Sequence, residues 1–72
     1  MIWDQIEAHW GRYKSFARAY WIELTDDDLT RIGGSQQQLI GRIQQRYAIA
    51  LADAEHQVLE WVRVLENRER LQ

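Results

Sequence analysis

A single apolar periodicity constrains the first part of the chain. Apolar side chains recur there at steps that alternate between three and four residues, and they are Trp3, Ile6, Trp10, Tyr13, Ala17, Tyr20 and Leu24. This spacing places all of them on one face of an α-helix. Phe16 and Trp21 widen the stripe to the width expected of a helix that faces a globular core. We therefore predict one helix from Trp3 to about Leu24.

A short acidic block interrupts the apolar pattern after this stripe. Thr25 is a good helix N-cap, because its hydroxyl can accept a hydrogen bond from a free backbone N–H of the first turn. Three aspartates follow it, where the positive end of a helix dipole favours anions. We predict a short second helix from Asp26 to about Ile32. Gly33 and Gly34 follow it and can adopt the left-handed conformation that ends a helix.

Two longer apolar patterns complete the chain. Ser35 and Gln38 have the spacing of a capping box at the start of a third helix. The apolar face of that helix comprises Leu39, Ile40, Ile43 and Tyr47. Gly41 lies within it, at a cost of about 1 kcal/mol relative to alanine, and close approach of a neighbouring helix is one explanation. A last helix is predicted from the helical spacing of Leu51, Ala54, Val58, Trp61 and Leu65.

Proline and cysteine are both absent from the 72 residues. An internal proline costs a helix about 3 kcal/mol, so its absence favours unbroken helices. A chain of this length is expected to form a single domain over residues 1–72, burying only about 60% of its unfolded surface. We expect the core to lie between about residues 3 and 65, and residues 66–72 to project or fray.

The charge pattern argues against several classes of protein. Nine basic and eleven acidic residues are interspersed and give a net charge of -2, whereas nucleic-acid-binding and membrane-surface proteins usually carry a basic excess. The first residues do not resemble a signal peptide, and no stretch approaches the ~20 apolar residues of a membrane span. Without cysteine, disulfides and thiolate chemistry are excluded. We expect a cytoplasmic protein that does not contact a membrane.

The periodic positions together predict an all-α domain of about four helices. Its core must rely on aromatic side chains, each of which can bury roughly 150–250 Å². The predicted core residues are Trp3, Ile6, Trp10, Tyr13, Tyr20, Leu24, Leu29, Leu39, Ile43, Tyr47, Val58, Trp61 and Leu65.

Five sequence blocks together carry a family resemblance. They are Trp-Asp-Gln-Ile-Glu at 3–7, Trp at 10, Leu-Thr-Asp-Asp-Asp-Leu at 24–29, Gln-Leu-Ile-Gly-Arg-Ile-Gln-Gln-Arg-Tyr at 38–47 and Ala-Glu-x-Gln-Val-x-x-Trp at 54–61. In this order they resemble the CsbD-like family of small bacterial general-stress proteins. The resemblance implies about four helices, similar to a SAM-like pair of crossed helical hairpins. It also implies a bacterial cytoplasmic protein whose abundance rises under stress, and it supplies no catalytic residue or biochemical activity.

The junction between the third and fourth helices is open to two interpretations. Residues 47–53 contain no glycine to end a helix and no Ser or Thr to begin one, and alanine favours helical continuity. One continuous helix could not bury its stripe within a monomer and would favour a swapped dimer. The resemblance argues instead for a turn with Ile49 directed inward, although the glycine usual in the family is Ala48 here. We favour the turn.

Candidate sites for metal or catalytic chemistry are weak. The three consecutive aspartates point in different directions on a helix, so a capped helix start explains them better than a metal site. His56 has Asp53 three residues before it and Glu60 four residues after it. A dimetal centre in a helical bundle needs two such carboxylate–histidine pairs and further glutamates, so this single pair supplies too few ligands. Ser15 and Ser35 have no evident base nearby in the sequence. We therefore expect no catalytic residue, no metal, no cofactor and no small-molecule ligand.

Two binding interpretations remain. The turn at Gly33, Gly34 and Ser35 partly resembles a helix–hairpin–helix, in which backbone N–H groups hold a DNA phosphate, and Arg31 and Arg42 lie near it in the sequence. The net negative charge disfavours this alternative. The aromatic stripe could instead leave apolar surface exposed for a protein partner. We favour a non-enzymatic, stress-associated protein that acts by protein–protein contact or self-association, with weak nucleic-acid binding second and a metal-dependent enzyme third.

Overall fold

The computed structural model describes the backbone of residues 2–70 and the side chains of residues 3–68. This part of the chain is all-α, as predicted, and contains no strand. It forms five helices, which are α1 (Ile2–Ala8), α2 (Trp10–Tyr20), α3 (Asp26–Ile32), α4 (Gln36–Tyr47) and α5 (Leu51–Arg70). Each helix packs on its neighbour in sequence, and α1 also packs on α5, which closes the array. The crossed-hairpin arrangement implied by the resemblance stays a prediction.

The first predicted helix is divided in two, so the structure has five helices where about four were expected. His9 leaves the helical conformation with φ -120° and ψ 40°. Hydrogen bonds nevertheless continue on both sides of it, from His9 N to the Gln5 carbonyl and from Tyr13 N to the His9 carbonyl. The apolar spacing therefore continues through a bend. Gly11, two residues later, is the weakest helix former in this stretch.

Capping interactions fix the ends of α3. Thr25 Oγ1 accepts a hydrogen bond from Asp28 N at 3.1 Å, and Thr25 N donates to Asp28 Oδ2 at 3.1 Å. These two bonds form a reciprocal capping box. At the other end, Gly33 adopts the left-handed conformation with φ 56°. Both the predicted N-cap and the predicted glycine stop are confirmed.

The predicted capping box at the start of α4 is only half formed. Ser35 Oγ accepts from Gln38 N at 3.4 Å, as expected. The backbone N–H of Ser35 does not bond to the Gln38 side chain, because it donates to the Ile32 carbonyl at 2.9 Å. The Ile32 carbonyl thus accepts the hydrogen bond from Ser35 N that the Gln38 side chain was expected to accept.

The turn between α4 and α5 is confirmed, and a single continuous helix is excluded. Ala48 takes the left-handed conformation with φ 53° and ψ 49°, which closes α4 in place of the usual glycine. Residues 48–50 then separate the two helices. Ile49 is half-buried and packs against the core, as expected. The last helix therefore folds back along α4.

Most predicted core positions are buried, with three departures. Trp3 and Tyr47 are only half-buried at the edge of the core. Tyr20 is 44% exposed, so its assignment to the core was wrong. The physical reason is that α2 ends at Tyr20, and the chain turns so that Trp21 occupies the inward position instead. Trp21 lies 5.2 Å from Trp61 between ring centroids. The buried apolar side chains that the core prediction omitted are Ala17, Trp21, Ile32 and Ala54.

Buried indole groups are satisfied by specific acceptors. Trp10 Nε1 donates to the Leu29 carbonyl at 2.8 Å, which ties α2 to α3. Trp21 Nε1 donates to Gln57 Oε1 at 2.9 Å and so ties the end of α2 to α5. Within the described side chains, no buried nitrogen or oxygen lacks a hydrogen-bond partner.

The last helix extends beyond the predicted edge of the core. Leu65 is the last buried residue of α5 among the side chains described up to residue 68, and the helix itself continues to Arg70. Residues 71 and 72, part of the segment expected to project or fray, lie outside the described residues. Among the described helices, none has the length and apolar character that a membrane span requires.

Candidate functional site

One aspartate of the acidic block is buried and forms the polar centre of the α3–α4 contact. Asp28 is only 2% exposed. Arg46 of α4 donates to both of its carboxylate oxygens, from Nε to Oδ2 at 2.8 Å and from Nη2 to Oδ1 at 3.0 Å. Together with the bond from Thr25 N, these interactions satisfy the charge inside the protein. Asp28 therefore both caps α3 and fixes α4 against it.

This environment favours the ionised form of the carboxyl group. The hydrogen bond from Arg46 is the main cause, and the contacts with Thr25 add to it. Burial opposes ionisation, but the net effect lowers the pKa of Asp28 from 3.8 to about 2. The same pairing raises the pKa of Arg46. The pair is thus fully charged at neutral pH, and its arrangement is that of a structural ion pair.

The other two aspartates of the block lie at the surface. Asp26 pairs with Arg18 of α2, and Asp27 pairs with Arg31 at 3.0 Å along the same helix. No two of the three carboxylates thus share an arginine, as expected for consecutive positions on a helix. Among residues 3–68, no three His, Cys, Asp or Glu side chains lie close enough to hold a metal ion.

The turn at residues 33–35 is shaped by packing against α1. A Cβ on Gly34 would lie 2.9 Å from Glu7 Cα, so the close approach of α1 requires glycine there. Trp3 Nε1 also donates to the Gly34 carbonyl at 3.0 Å. The structure therefore gives this turn a structural explanation that does not involve a phosphate.

Of the two arginines assigned to the nucleic-acid alternative, Arg42 lines a surface groove together with Ser35 of the turn, and Arg31 does not line it. Arg31 pairs with Asp27 on the surface of α3. Arg42 lies on α4, with Nη1 3.6 Å from Asp28 Oδ1. Each is thus next to a carboxylate, and the one beside Arg42 is shared with Arg46.

His56 lies on the exposed surface of α5. Its Nε2 is 3.7 Å from Glu60 Oε1, and the same carboxylate oxygen is 3.8 Å from Arg63 Nη1. All three side chains follow one another along the helix face at spacings of three or four residues. A solvated charge cluster accounts for this arrangement.

An apolar groove runs between the C-terminal halves of α2 and α5. We call it the α2–α5 groove; it has a volume of about 180 Å³ and is lined by Phe16, Ala19, Tyr20, Trp61, Val64, Leu65 and Arg68. Tyr20 and Val64 are each 44% exposed at its rim. The guanidinium carbon of Arg68 lies 5.0 Å from the centre of the Phe16 ring, so a cation covers part of one wall.

Sequence reasoning did not anticipate this groove or the partner of Asp28. The aromatic stripe indicated that some apolar surface could remain exposed, but not which residues would form it. Tyr20 and Trp21 are adjacent, so the choice of the inward residue depended on where α2 ends. Arg46 is 18 residues from Asp28, and no local spacing rule links positions so far apart.

Comparison with known proteins gives relatives but no described activity. The chain is 47% identical over 58 residues to a UPF0337 protein of Pectobacterium atrosepticum, which covers 81% of this chain and 84% of that protein. It is 40% identical to UPF0337 protein YjbJ of Escherichia coli with the same coverage of both chains. A UPF0337 protein of Nitrosomonas europaea is 41% identical, over 81% of this chain and 62% of that protein. No family model and no solved structure matches the chain.

Proposed function

The chain belongs to the UPF0337 family of bacterial proteins, and on that premise we propose that it is a non-enzymatic protein that acts through protein–protein contact or self-association. The α2–α5 groove is the observation that supports this proposal. It combines an aromatic wall, an exposed aliphatic rim and one cation, which is the composition that protein interfaces favour at their centre.

The groove leaves apolar area in water that a partner would cover. Tyr20 remains half exposed although its ring lies 4.8 Å from that of Trp21, and Val64 is exposed beside it. Covering apolar area contributes about 25 cal/mol per Å². Tyrosine also supplies contact area at a small cost in side-chain entropy and is enriched at interfaces. A partner chain with an apolar side chain of its own fits this surface.

Self-association through the groove is testable with a matched pair of variants. Val64→Glu places a charge at the rim of the groove, whereas Leu59→Glu places the same charge on α5 about 140° around the helix. Both parent residues are exposed, at 44% and 57%, so neither substitution removes core packing. Circular dichroism should show that both variants keep the helical fold.

Sedimentation equilibrium over a wide concentration range then separates the outcomes. We expect the mass of the parent and of Leu59→Glu to rise with concentration, and that of Val64→Glu to stay monomeric. Equal association by both variants would contradict the groove as the contact surface. A parent that stays monomeric at every concentration would contradict self-association.

We further propose that the protein is a CsbD-like stress protein of the cytoplasm. The resemblance of the sequence blocks between Trp3 and Trp61 supports this role. Immunoblotting of the bacterium before and after osmotic, oxidative and stationary-phase stress tests it. An amount of protein that rises under stress supports the role, and a constant amount under all three contradicts it.

A further inference from the structure

A second groove, on α4, is polar and is not explained by the packing of the fold. Its volume is about 440 Å³, and it is lined by Ser35, Gln37, Gln38, Gly41, Arg42 and Gln45. We call it the α4 groove. Gly41 is one of its lining residues, and apart from its chain neighbours and the backbone of its own helix, no described atom lies within 4 Å of the position that a Cβ would occupy there. No neighbouring helix within the protein therefore requires this glycine, although it costs the helix about 1 kcal/mol relative to alanine.

Arg42 is the charged residue of the α4 groove, and most of its hydrogen-bonding capacity is unused. Its side chain is 27% exposed, and among the described residues only Nη1 has a hydrogen-bond or ion-pair partner. That atom lies 3.6 Å from Asp28 Oδ1, beyond hydrogen-bonding distance, and 3.4 Å from Gln45 Oε1. A guanidinium group carries five N–H donors, so several remain for a ligand.

The carboxylate next to Arg42 is shared with a second arginine. Asp28 is the nearest carboxylate, and Arg46 already donates to both of its oxygens. One carboxylate therefore lies between two guanidinium groups, and α4 itself contains no acidic residue. The donors of Arg42 that face neither Asp28 nor Gln45 are therefore left for an anion, and their position is partly shielded from water, which strengthens the attraction compared with a fully exposed arginine.

We propose that the α4 groove binds a small organic phosphate that also carries hydroxyl groups. Arg42 would donate to the phosphate oxygens, since a guanidinium group matches their geometry. The amides of Gln37, Gln38 and Gln45 both donate and accept hydrogen bonds, which suits hydroxyl groups beside the phosphate. The missing side chain at Gly41 lets such a molecule lie against the helix backbone.

Amide chemical shifts of the isotope-labelled protein, titrated with three probes, test this assignment. Glycerol phosphate offers both a phosphate and hydroxyl groups. Inorganic phosphate offers the anion alone, and glycerol offers the hydroxyl groups alone. We expect shifts confined to residues 35–45, the tightest binding for glycerol phosphate, weaker binding for inorganic phosphate and none for glycerol. Shifts spread over the whole surface, or equal affinity for the two phosphates, would overturn the proposal.

Two variants and one control locate the contact. Arg42→Gln removes the cation while Arg46 continues to hold Asp28, and we expect it to weaken glycerol phosphate binding about tenfold or more. Gly41→Leu fills the groove from an open position and should abolish binding without unfolding α4. Arg31→Gln, the control, removes a surface arginine that pairs with Asp27 outside the groove and should change nothing.

The same variants can also show that Arg42 does not hold the phosphate. Unchanged affinity in Arg42→Gln, or loss of binding in Arg31→Gln, would overturn the role of Arg42. A single-stranded oligonucleotide tests the other source of phosphate groups. If it shifted the same amides at lower concentration than glycerol phosphate, the assignment to a small molecule would be wrong.

Discussion

The guanidinium group of Arg46 on α4 donates to both carboxylate oxygens of Asp28 on α3, across distances of 2.8 and 3.0 Å. Asp28 is also the residue that completes the capping box with Thr25. One buried carboxylate therefore sets the start of α3 and the position of α4 at the same time. Breaking such a pair leaves a buried charge without its partner, which is costly in a domain of this size.

Acid should expose the contribution of this pair to stability. The pKa of Asp28 is about 2 in the folded protein and near 3.8 in the unfolded chain, so the folded state favours its ionised form. The stabilisation is nearly complete above about pH 5 and is lost as the pH falls towards 2. We expect Asp28→Asn to be less stable than the parent at neutral pH, with a difference that shrinks as the pH falls through this range.

Urea unfolding of both proteins at several pH values measures that difference. The other carboxylates are common to both proteins, so their titration largely cancels. A difference in unfolding free energy that stays constant between pH 6 and about pH 2 would show that the ionised carboxylate does not stabilise the fold.

Two glycines should respond in opposite directions to substitution by alanine. Gly41 is helical and open, so Gly41→Ala should stabilise the protein by about 0.5–1 kcal/mol. Gly34 has φ 87°, and a Cβ there would meet the backbone of Glu7, so Gly34→Ala should destabilise it by about 1–3 kcal/mol. Thermal melting followed by circular dichroism compares them. Destabilisation by Gly41→Ala would mean that this position is not open.

The end of α4 offers a third test of the backbone. Ala48 has φ 53°, a conformation that costs a residue with a side chain roughly 1–2 kcal/mol. Glycine also makes the unfolded chain more flexible, so we expect a net gain of about 0.5–1 kcal/mol for Ala48→Gly. Ala52→Gly, at an exposed position within α5, should instead cost about 1 kcal/mol. A loss of stability in both variants would indicate that α4 continues through the junction.

Trp61 should be indispensable to the fold. Its ring lies 6.2 Å from that of Trp3 and 5.2 Å from that of Trp21, so it joins α5 to α1 and to the end of α2. Aromatic-to-alanine changes in a core cost about 3–5 kcal/mol, comparable with the whole stability of a small domain. We expect Trp61→Ala to be unfolded or nearly so, and Trp61→Phe to remain folded. A Trp61→Ala protein that melts within a few degrees of the parent would contradict this packing.

Local rules predicted the parts of the fold that depend on local sequence. Apolar spacing identified the helices, and Thr25 and Gly33 marked the limits of α3 because caps act within one helical turn. The turn at Ala48 was favoured on family resemblance, against the helix propensity of its alanines. Tertiary packing overrode propensity at this position.

The features that were not predicted depend on geometry between distant segments. The bend at His9 follows no local helix-ending signal. The outward position of Tyr20 depends on the point at which α2 ends, and the pairing of Asp28 with Arg46 depends on how α4 crosses α3. The α2–α5 groove arises from such a placement. Local sequence patterns therefore could not predict the α2–α5 groove or the pairing of Asp28 with Arg46.

Contact between another protein chain and the α2–α5 groove is the central claim, and site-specific photo-crosslinking in the bacterium tests it most directly. A photoreactive phenylalanine analogue would replace Tyr20 at the rim of the groove or, as the control, Leu59 elsewhere on the exposed surface. The method traps a second copy and a different partner equally well. We predict a discrete crosslinked protein band from position 20 and none from position 59. No band from position 20, or the same band from both positions, would contradict the account.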